Sequence, residues 1–228
     1  MIIITGVSGG IGKFLLEQLS FKTSENIIGI YNNTLPIKVF KNVKYLKADL
    51  TKEEDVIQLA ESVNVETNLK LIHCAGIAKN GMLHKIDYTD WQNVISTNLN
   101  SAFLISKYLL PIMREQGFGK IIFLSSIVPQ IGVIGTSSYS ASKAGLWGLM
   151  KTLTKENAAK NITCNTLNLG YFNIGMIKDV PDAMLKQIID SIPVKKLGDP
   201  IDIYNAVDFI LKSNYLNGSS ININGGLF

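Results

Sequence analysis

The sequence predicts a single α/β domain, a doubly wound parallel sheet with helices on both faces, and three observations predict it. Short apolar runs alternate with helical periodicity along the whole chain, as expected of buried strands joined by crossover helices. A glycine cluster lies where the first run passes into the first helical stretch. Hydrophobic residues make up 46% of the 228 and charged residues 18%. That is enough apolar material for one core, and no repeat, linker or low-complexity tract divides residues 1–228.

The elements follow in order. Residues 2–4 read as a buried strand, after which Ile11, Phe14, Leu15 and Leu19 recur at helix spacing. A second strand covers 27–31. The polar stretch with Pro36 is too short between 34 and 43 for a full helix, and a third strand follows at 45–48. Thr51-Lys52-Glu53-Glu54 reads as a capping box opening the next helix. A buried strand at 69–74 runs into a loop around Gly76 and Gly81. Trp91, Val94, Ile95, Leu99, Ala102 and Phe103 mark the apolar face of one long helix. Then come a strand at 121–124, a helix at 139–158, a strand at 162–169 and a short helix at 184–191. Asp199-Pro200 starts the last helix, and a strand at 219–223 follows it.

Composition narrows the function classes. The net charge of +4 comes from scattered lysines rather than a basic block, which speaks against nucleic acid as a partner. No apolar run approaches the ~20 residues that span a bilayer, and the first residues lack the basic and long apolar segments of a signal peptide. Cys74 and Cys164 fall in separate apolar runs, and with only His73 and His84 as histidines there is no metal-ligand spacing. Two reduced thiols point to a cytoplasmic protein that works without a metal.

Two clusters carry chemistry. In Thr5-Gly6-Val7-Ser8-Gly9-Gly10-Ile11-Gly12, glycines at a strand-to-helix turn let the backbone approach a pyrophosphate, and the helix N-terminus offers free N–H groups. Tyr139 and Lys143 stand four residues apart and share one helical face. An ammonium beside a phenol favours the phenolate and draws its pKa below ~10. A Tyr that exchanges a proton in this way is what reduction of a ketone requires. Ser126 follows the strand at 121–124, and Ser125 beside it faces the other way. Asn98 puts an amide on the apolar face of its helix, where it needs partners. His73 reads as a strand-end residue that packs or hydrogen-bonds, and Cys74 as a small buried thiol.

Thr-Gly-x-x-x-Gly-x-Gly, Tyr-x-x-x-Lys and the preceding Ser together resemble the short-chain dehydrogenase/reductase family in its compact branch, over residues 2–228. The resemblance implies an NAD(P)-dependent enzyme with a Rossmann-type sheet and catalytic roles for Asn98, Ser126, Tyr139 and Lys143. Tyr139 is expected to donate a proton, Ser126 to orient the carbonyl oxygen, Lys143 to lower the Tyr pKa and bind the nicotinamide ribose, and Asn98 to hold a relay water. Cofactor contacts are implied at Thr5, Gly6, Ser8, Gly10, Ile11 and Gly12, at Tyr31 and Asn32, and at Asp49 and Leu50 beside the adenine. Further contacts are implied at Cys74, Ala75, Gly76, Tyr139, Lys143, Gly170 and Ile174.

The sequence departs from the family pattern in places. His73-Cys74 replaces Asn-Asn, Leu169 replaces the Pro of Pro-Gly, and Ile174 replaces a Thr that bonds the carboxamide. No carboxylate stands at Tyr31-Asn32-Asn33, which tilts the choice towards NADP(H) over NAD(H). Yet no cation adjoins, and Gly9 stands where NADP-dependent relatives often have Arg.

Within the family, the short 170–198 segment and the Asn224-Gly225-Gly226 ending are most similar to 3-oxoacyl-[acyl-carrier-protein] reductases. The implied substrate is a small-molecule or acyl-carrier-linked ketone, with Arg114, Lys120, Lys155 and Lys160 as candidate contacts to an acidic carrier. Alternatives are a reductase of a sugar, polyol or surface-polysaccharide precursor, and a nucleotide-binding sensor or structural subunit with little turnover. The resemblance also implies a homo-oligomer, tetramer or dimer, formed through the two long helices, where Phe103, Leu146, Trp147 and Met150 either face outward to that use or pack inside the subunit.

Overall fold

The computed structural model describes residues 1–63 and 67–228. Its strands are β1 (Ile2–Thr5), β2 (Ile27–Tyr31), β3 (Val43–Lys47), β4 (Lys70–His73), β5 (Gly119–Ser126), β6 (Ile162–Leu169) and β7 (Ser220–Ile223). They form one sheet in the order β3-β2-β1-β4-β5-β6-β7, and every pairing is parallel. The helices are α1 (Gly10–Lys22), α2 (Glu53–Ser62), α3 (Tyr88–Ile95), α4 (Ser101–Gln116), α5 (Val128–Ile131), α6 (Ser137–Asn157), α7 (Asp182–Ser191) and α8 (Pro200–Lys212).

Alternation along the strands builds two cores. Ile2, Ile4, Ile27, Ile72, Ile122 and Leu167 pack with Leu15 and Leu16 of α1 and Ile203 and Val207 of α8. Ile3, Ile28, Leu71, Ile121 and Phe123 point the other way, towards Val56 of α2, Ile105 of α4 and Leu146 of α6. Because both faces are covered, the strands read as continuous apolar runs. Strand order reverses between β1 and β4, whose carboxyl ends meet at the register pair Thr5 and His73. In open α/β sheets such a switch point is where a ligand crevice forms.

The structure corrects several expectations. β3 begins two residues earlier than expected, at Val43. The capping box does not form, because Lys52 rather than Thr51 stands at the start of α2 and Thr51 is drawn into a turn with Asp49. Its N–H and hydroxyl both donate to Asp49 Oδ1, at 3.0 and 2.7 Å, and α2 begins with no side-chain cap. The long helix is continuous through α3 and α4, but it carries a wide π-type turn at Ser96–Asn100. That turn shifts the face beyond it, so Ala102 is buried while Phe103 is 49% exposed.

Leu146 and Met150 are fully buried and belong to the core under α6, so neither faces outward. Trp147 is half-buried and gives its indole N–H to Asn168 Oδ1 at 3.0 Å. Among the described residues no helix is long and apolar enough to cross a membrane.

Candidate active site

Three glycines shape the turn between β1 and α1. Gly6 has φ +68°, and a Cβ there would stand 2.9 Å from the Ala75 backbone. A Cβ on Gly12 would meet Gly6 O at 2.4 Å, and one on Gly10 would meet Gly175 Cα at 2.7 Å. Thr5, fully buried behind the turn, accepts hydrogen bonds on Oγ1 from Cys74 N at 3.0 Å and Ala75 N at 3.1 Å. The ends of β1 and β4 are thereby locked together.

A cavity of ≈ 750 Å³ opens beside this turn, within the range of ordinary ligand pockets. Gly6, Ser8, Tyr31, Asn32, Asp49, Leu50, Ala75 and Gly76 line it, and so do Gly9 and Thr97. Thr5, Gly10, Ile11, Gly12, Cys74, Tyr139, Lys143, Gly170 and Ile174 do not. Ile11 and Gly12 lie in the first turn of α1, and Ile174 packs across Gly10. Gly170 sits against Asn224, where a Cβ would come within 2.7 Å of Cα. At one edge of the cavity Asp49 makes the Thr51 turn. Burial raises its carboxyl pKa, but the hydrogen bonds from Thr51, with smaller help from Lys52 and Asn32, bring it below the usual value. The glycine cradle and the free N–H groups at the start of α1 fit a nicotinamide dinucleotide.

The chemical residues converge at the carboxyl end of β5. Ser126 Oγ accepts from Val128 N at 3.1 Å and hydrogen-bonds the Tyr139 phenol. Ser125, on the opposite face, donates to Lys143 O at 3.0 Å and pins α6 to the sheet. Asn98 is buried in the Ser96–Asn100 turn. Its Oδ1 accepts from Ile77 N at 2.8 Å, and its Nδ2 donates to Ile77 O and to Ser142 Oγ, both at 2.9 Å. Both amide hydrogens are therefore spent on protein. A Cβ on Gly76 would stand 3.3 Å from Lys143 Nζ and 3.4 Å from Asn98 Oδ1, which places these two groups just behind the cavity wall.

Electrostatics overturn one expectation. Burial pushes the Tyr139 phenol up to about 12, outweighing the Ser126 hydrogen bond that lowers it, and Tyr171 adds to the rise. Lys143 does not acidify it. Burial holds the ammonium itself down to about 8, and Nζ donates to Leu124 O at 2.7 Å. At neutral pH the phenol is a protonated donor. Burial, with repulsion from Lys143 second, lowers His73 to about 3, so its ring is neutral. Burial raises the Cys74 thiol to about 12 against a smaller pull from Lys143, which leaves no thiolate for nucleophilic work.

The four candidate carrier contacts, which read first as solvated surface charges, lie at the end of the sheet away from Ser126. Arg114 is in the last turn of α4, Lys120 is the second residue of β5, and Lys155 and Lys160 precede β6. All four sit towards the amino ends of β5 and β6. With eight residues in β5 and ~3.3 Å per residue, about 25 Å separates that end from the Ser126 end. Lys120 is moreover buried, donating to Ser213 O at 2.6 Å and Asn214 Oδ1 at 3.0 Å. Arg114 serves Glu156 O and Asn157 Oδ1.

Sequence reasoning placed Ser125 on the opposite face without giving it a role, and passed over Ser142, which holds Asn98, and Tyr171, whose phenol bears on Tyr139. Ser142 lies inside the Tyr-x-x-x-Lys motif, one helical turn from Tyr139, and that spacing was a usable signal.

Comparison with known proteins gives a consistent picture. A family model described as short chain dehydrogenase matches residues 1–184. An acetoacetyl-CoA reductase of Shinella zoogloeoides is 34% identical over 234 residues, covering 99% of this chain and 97% of its own length. A 3-oxoacyl-[acyl-carrier-protein] reductase FabG of Buchnera aphidicola subsp. Baizongia pistaciae is 33% identical over 237 residues, covering 99% and 96%. A nodulation protein G of Rhizobium sp. (strain N33) is 30% identical over 237 residues, covering 99% and 95%.

Proposed function

The chain belongs to the short-chain dehydrogenase family and is an oxidoreductase, and from that premise we propose that it reduces the ketone of a 3-oxoacyl thioester to an alcohol. The observation that carries the proposal is the half-buried Tyr139 phenol beside Ser126, protonated at neutral pH, with Lys143 Nζ just behind the Gly76 wall of a dinucleotide-sized cavity. A bound nicotinamide nucleotide supplies the hydride. Tyr139 gives its proton to the oxygen that gains charge as the ketone is reduced, and Ser126 hydrogen-bonds and orients that oxygen. Lys143 places a positive charge beside them, and Asn98 holds the Ile77 backbone and Ser142 in place.

The reading prefers NADP(H) to NAD(H). Its support is the neutral edge Tyr31, Asn32, Asn33 and Thr34, which has no carboxylate to repel a 2′-phosphate. The exposed Ile134, Met176 and Met184 follow Ser126 and β6 in the chain and suit an aliphatic substrate. The four cations at the far end of the sheet do not mark a carrier-docking face, and the reading takes in both a small thioester and an acyl-carrier-linked one. The reading also makes the protein a cytoplasmic homo-oligomer.

The test follows NADPH and NADH oxidation with acetoacetyl-CoA, the same acyl group on a carrier protein, and a panel of keto-sugars. Turnover of the CoA thioester at a kcat/KM well above any keto-sugar supports the reading. Turnover of keto-sugars alone overturns it. Nucleotide binding with no turnover of any of them makes the protein a nucleotide-binding subunit instead.

A further inference from the structure

His73 ends β4 at the switch point and is 1% exposed, with its ring held edge-on to Phe123 at 6.1 Å. Both ring nitrogens are engaged. Nδ1 faces Thr5 Oγ1 at 3.1 Å and Nε2 faces Ser101 Oγ at 3.1 Å. The directions of these bonds follow from the partners. Thr5 Oγ1 already accepts from two backbone N–H groups, so its one hydrogen goes to Nδ1. Nδ1 is therefore the unprotonated nitrogen, and Nε2–H donates to Ser101. Ser101 Oγ in turn donates to Thr97 O.

That last acceptor lies inside the wide turn. The Ser101 backbone N–H reaches back to Ser96 O, one residue further than in an ordinary helix, and the Ser101 hydroxyl takes the Thr97 carbonyl instead. The neighbouring residue, Asn98, is the one whose amide holds Ile77 and Ser142. Thr97 and Ser101 also line the cavity.

We propose that His73 is a positioning residue: a one-way hydrogen-bond chain, Thr5 to His73 to Ser101 to Thr97, sets the turn carrying Asn98 against the glycine turn that holds the nucleotide. Chains of this kind polarise in one direction and act as a unit. The proposal rests on the reductase reading only through the role given to Asn98.

His73→Phe keeps an aromatic ring, somewhat larger than imidazole, and removes both hydrogen bonds. Ser101→Ala removes the next link. Each is expected to lower kcat about tenfold, with NADPH affinity by fluorescence titration changed less than threefold. The double variant falls no further than the worse single, because linked groups are non-additive. His73→Gln keeps an N–H directed at Ser101 and recovers most of the loss. If His73→Phe folds poorly, Ser101→Ala and His73→Gln carry the same comparison. Wild-type kcat in His73→Phe, or losses that simply add, would overturn the proposal. A readout independent of turnover is the ¹⁵N spectrum of His73, expected to show a neutral ring protonated on Nε2. An Nδ1-protonated or charged ring contradicts the chain even if the protein proves inactive, whereas a wild type without turnover contradicts only the reductase reading.

Discussion

Lys143 Nζ stands 5.7 Å from the centre of the Tyr139 ring and gives a 2.7 Å hydrogen bond to Leu124 O. The lysine is thus held by the backbone of β5, and its charge acts on the site without drawing the proton from the phenol. Tyr139 keeps that proton at neutral pH because burial outweighs the bond from Ser126. A protonated phenol facing a carbonyl is set for reduction, while the reverse oxidation must first remove the proton.

The pH profile of reduction should follow Lys143. Burial lowers its ammonium to about 8, so the charge is present below that pH and lost above it. We predict a flat kcat/KM for ketone reduction from pH 6 to about 8 and a decline of about tenfold per unit beyond it. No inflection from His73 is expected in this window, since its ring is neutral throughout. Lys143→Met should lower activity and abolish the alkaline limb. A limb that survives in Lys143→Met belongs to another group.

Acid stability should report on His73. Its folded pKa, about 3, lies below the ordinary 6.5 because burial disfavours the charged ring. As pH falls below 6.5 the unfolded chain binds a proton that the native ring refuses, so stability is lost on the acid side and is unaffected above it. Between pH 7 and pH 5 the wild type should lose about 2 kcal/mol more than His73→Gln in urea unfolding. Parallel losses in the two proteins would mean that the ring is protonated or solvated when folded.

The glycine at position 9 offers a test of the proposed nucleotide preference. A Cβ there meets nothing closer than Gly6 O at 3.3 Å, and the residue lines the cavity beside Asn32 and Asn33. Gly9→Arg places a guanidinium where a ribose 2′-phosphate would sit, and a charged hydrogen bond of about 1.5–3 kcal/mol corresponds to roughly tenfold to hundredfold in affinity. The ratio of NADPH to NADH affinity should rise by that factor, measured by fluorescence titration. An unchanged ratio would place the 2′ position elsewhere.

Phe103 is the one residue of the expected oligomer surface that projects, at 49% exposure on α4. Phe103→Glu should lower the assembly state seen by light scattering while leaving Leu146 and Met150 packed in the core. An unchanged mass would show that the protein does not assemble through α4.

Much of this architecture is legible in the sequence because parallel strands buried on both faces leave unbroken apolar runs, as at 27–31 and 162–169. The Gly6–Gly12 turn is legible for a related reason: backbone contacts of 2.4–2.9 Å tolerate no side chain. The wide turn at Ser96–Asn100 is hidden, since one extra residue in a helix leaves the apolar spacing on either side intact. Thr51 misleads because α2 starts one residue later than the motif suggests, with Lys52 at its N-cap position, while the Thr51 N–H and hydroxyl close a turn on Asp49. Leu146 and Met150 look outward or inward equally well from composition alone. The protonation of Tyr139 depends on burial outweighing the Ser126 contribution, and that burial exists only once α6 packs on β5. The placement of Lys120 was within reach of reasoning, since a residue that opens a parallel strand stands at the end opposite the crevice.

The central claim is that Tyr139 is the proton donor, and steady-state reduction of acetoacetyl-CoA by Tyr139→Phe beside the wild type tests it most directly. The variant removes one oxygen and keeps the ring, and general acid catalysis contributes roughly 10²–10⁴-fold. The account predicts a loss of kcat in that range with NADPH affinity and thermal stability nearly unchanged. Near-normal kcat in Tyr139→Phe would contradict it.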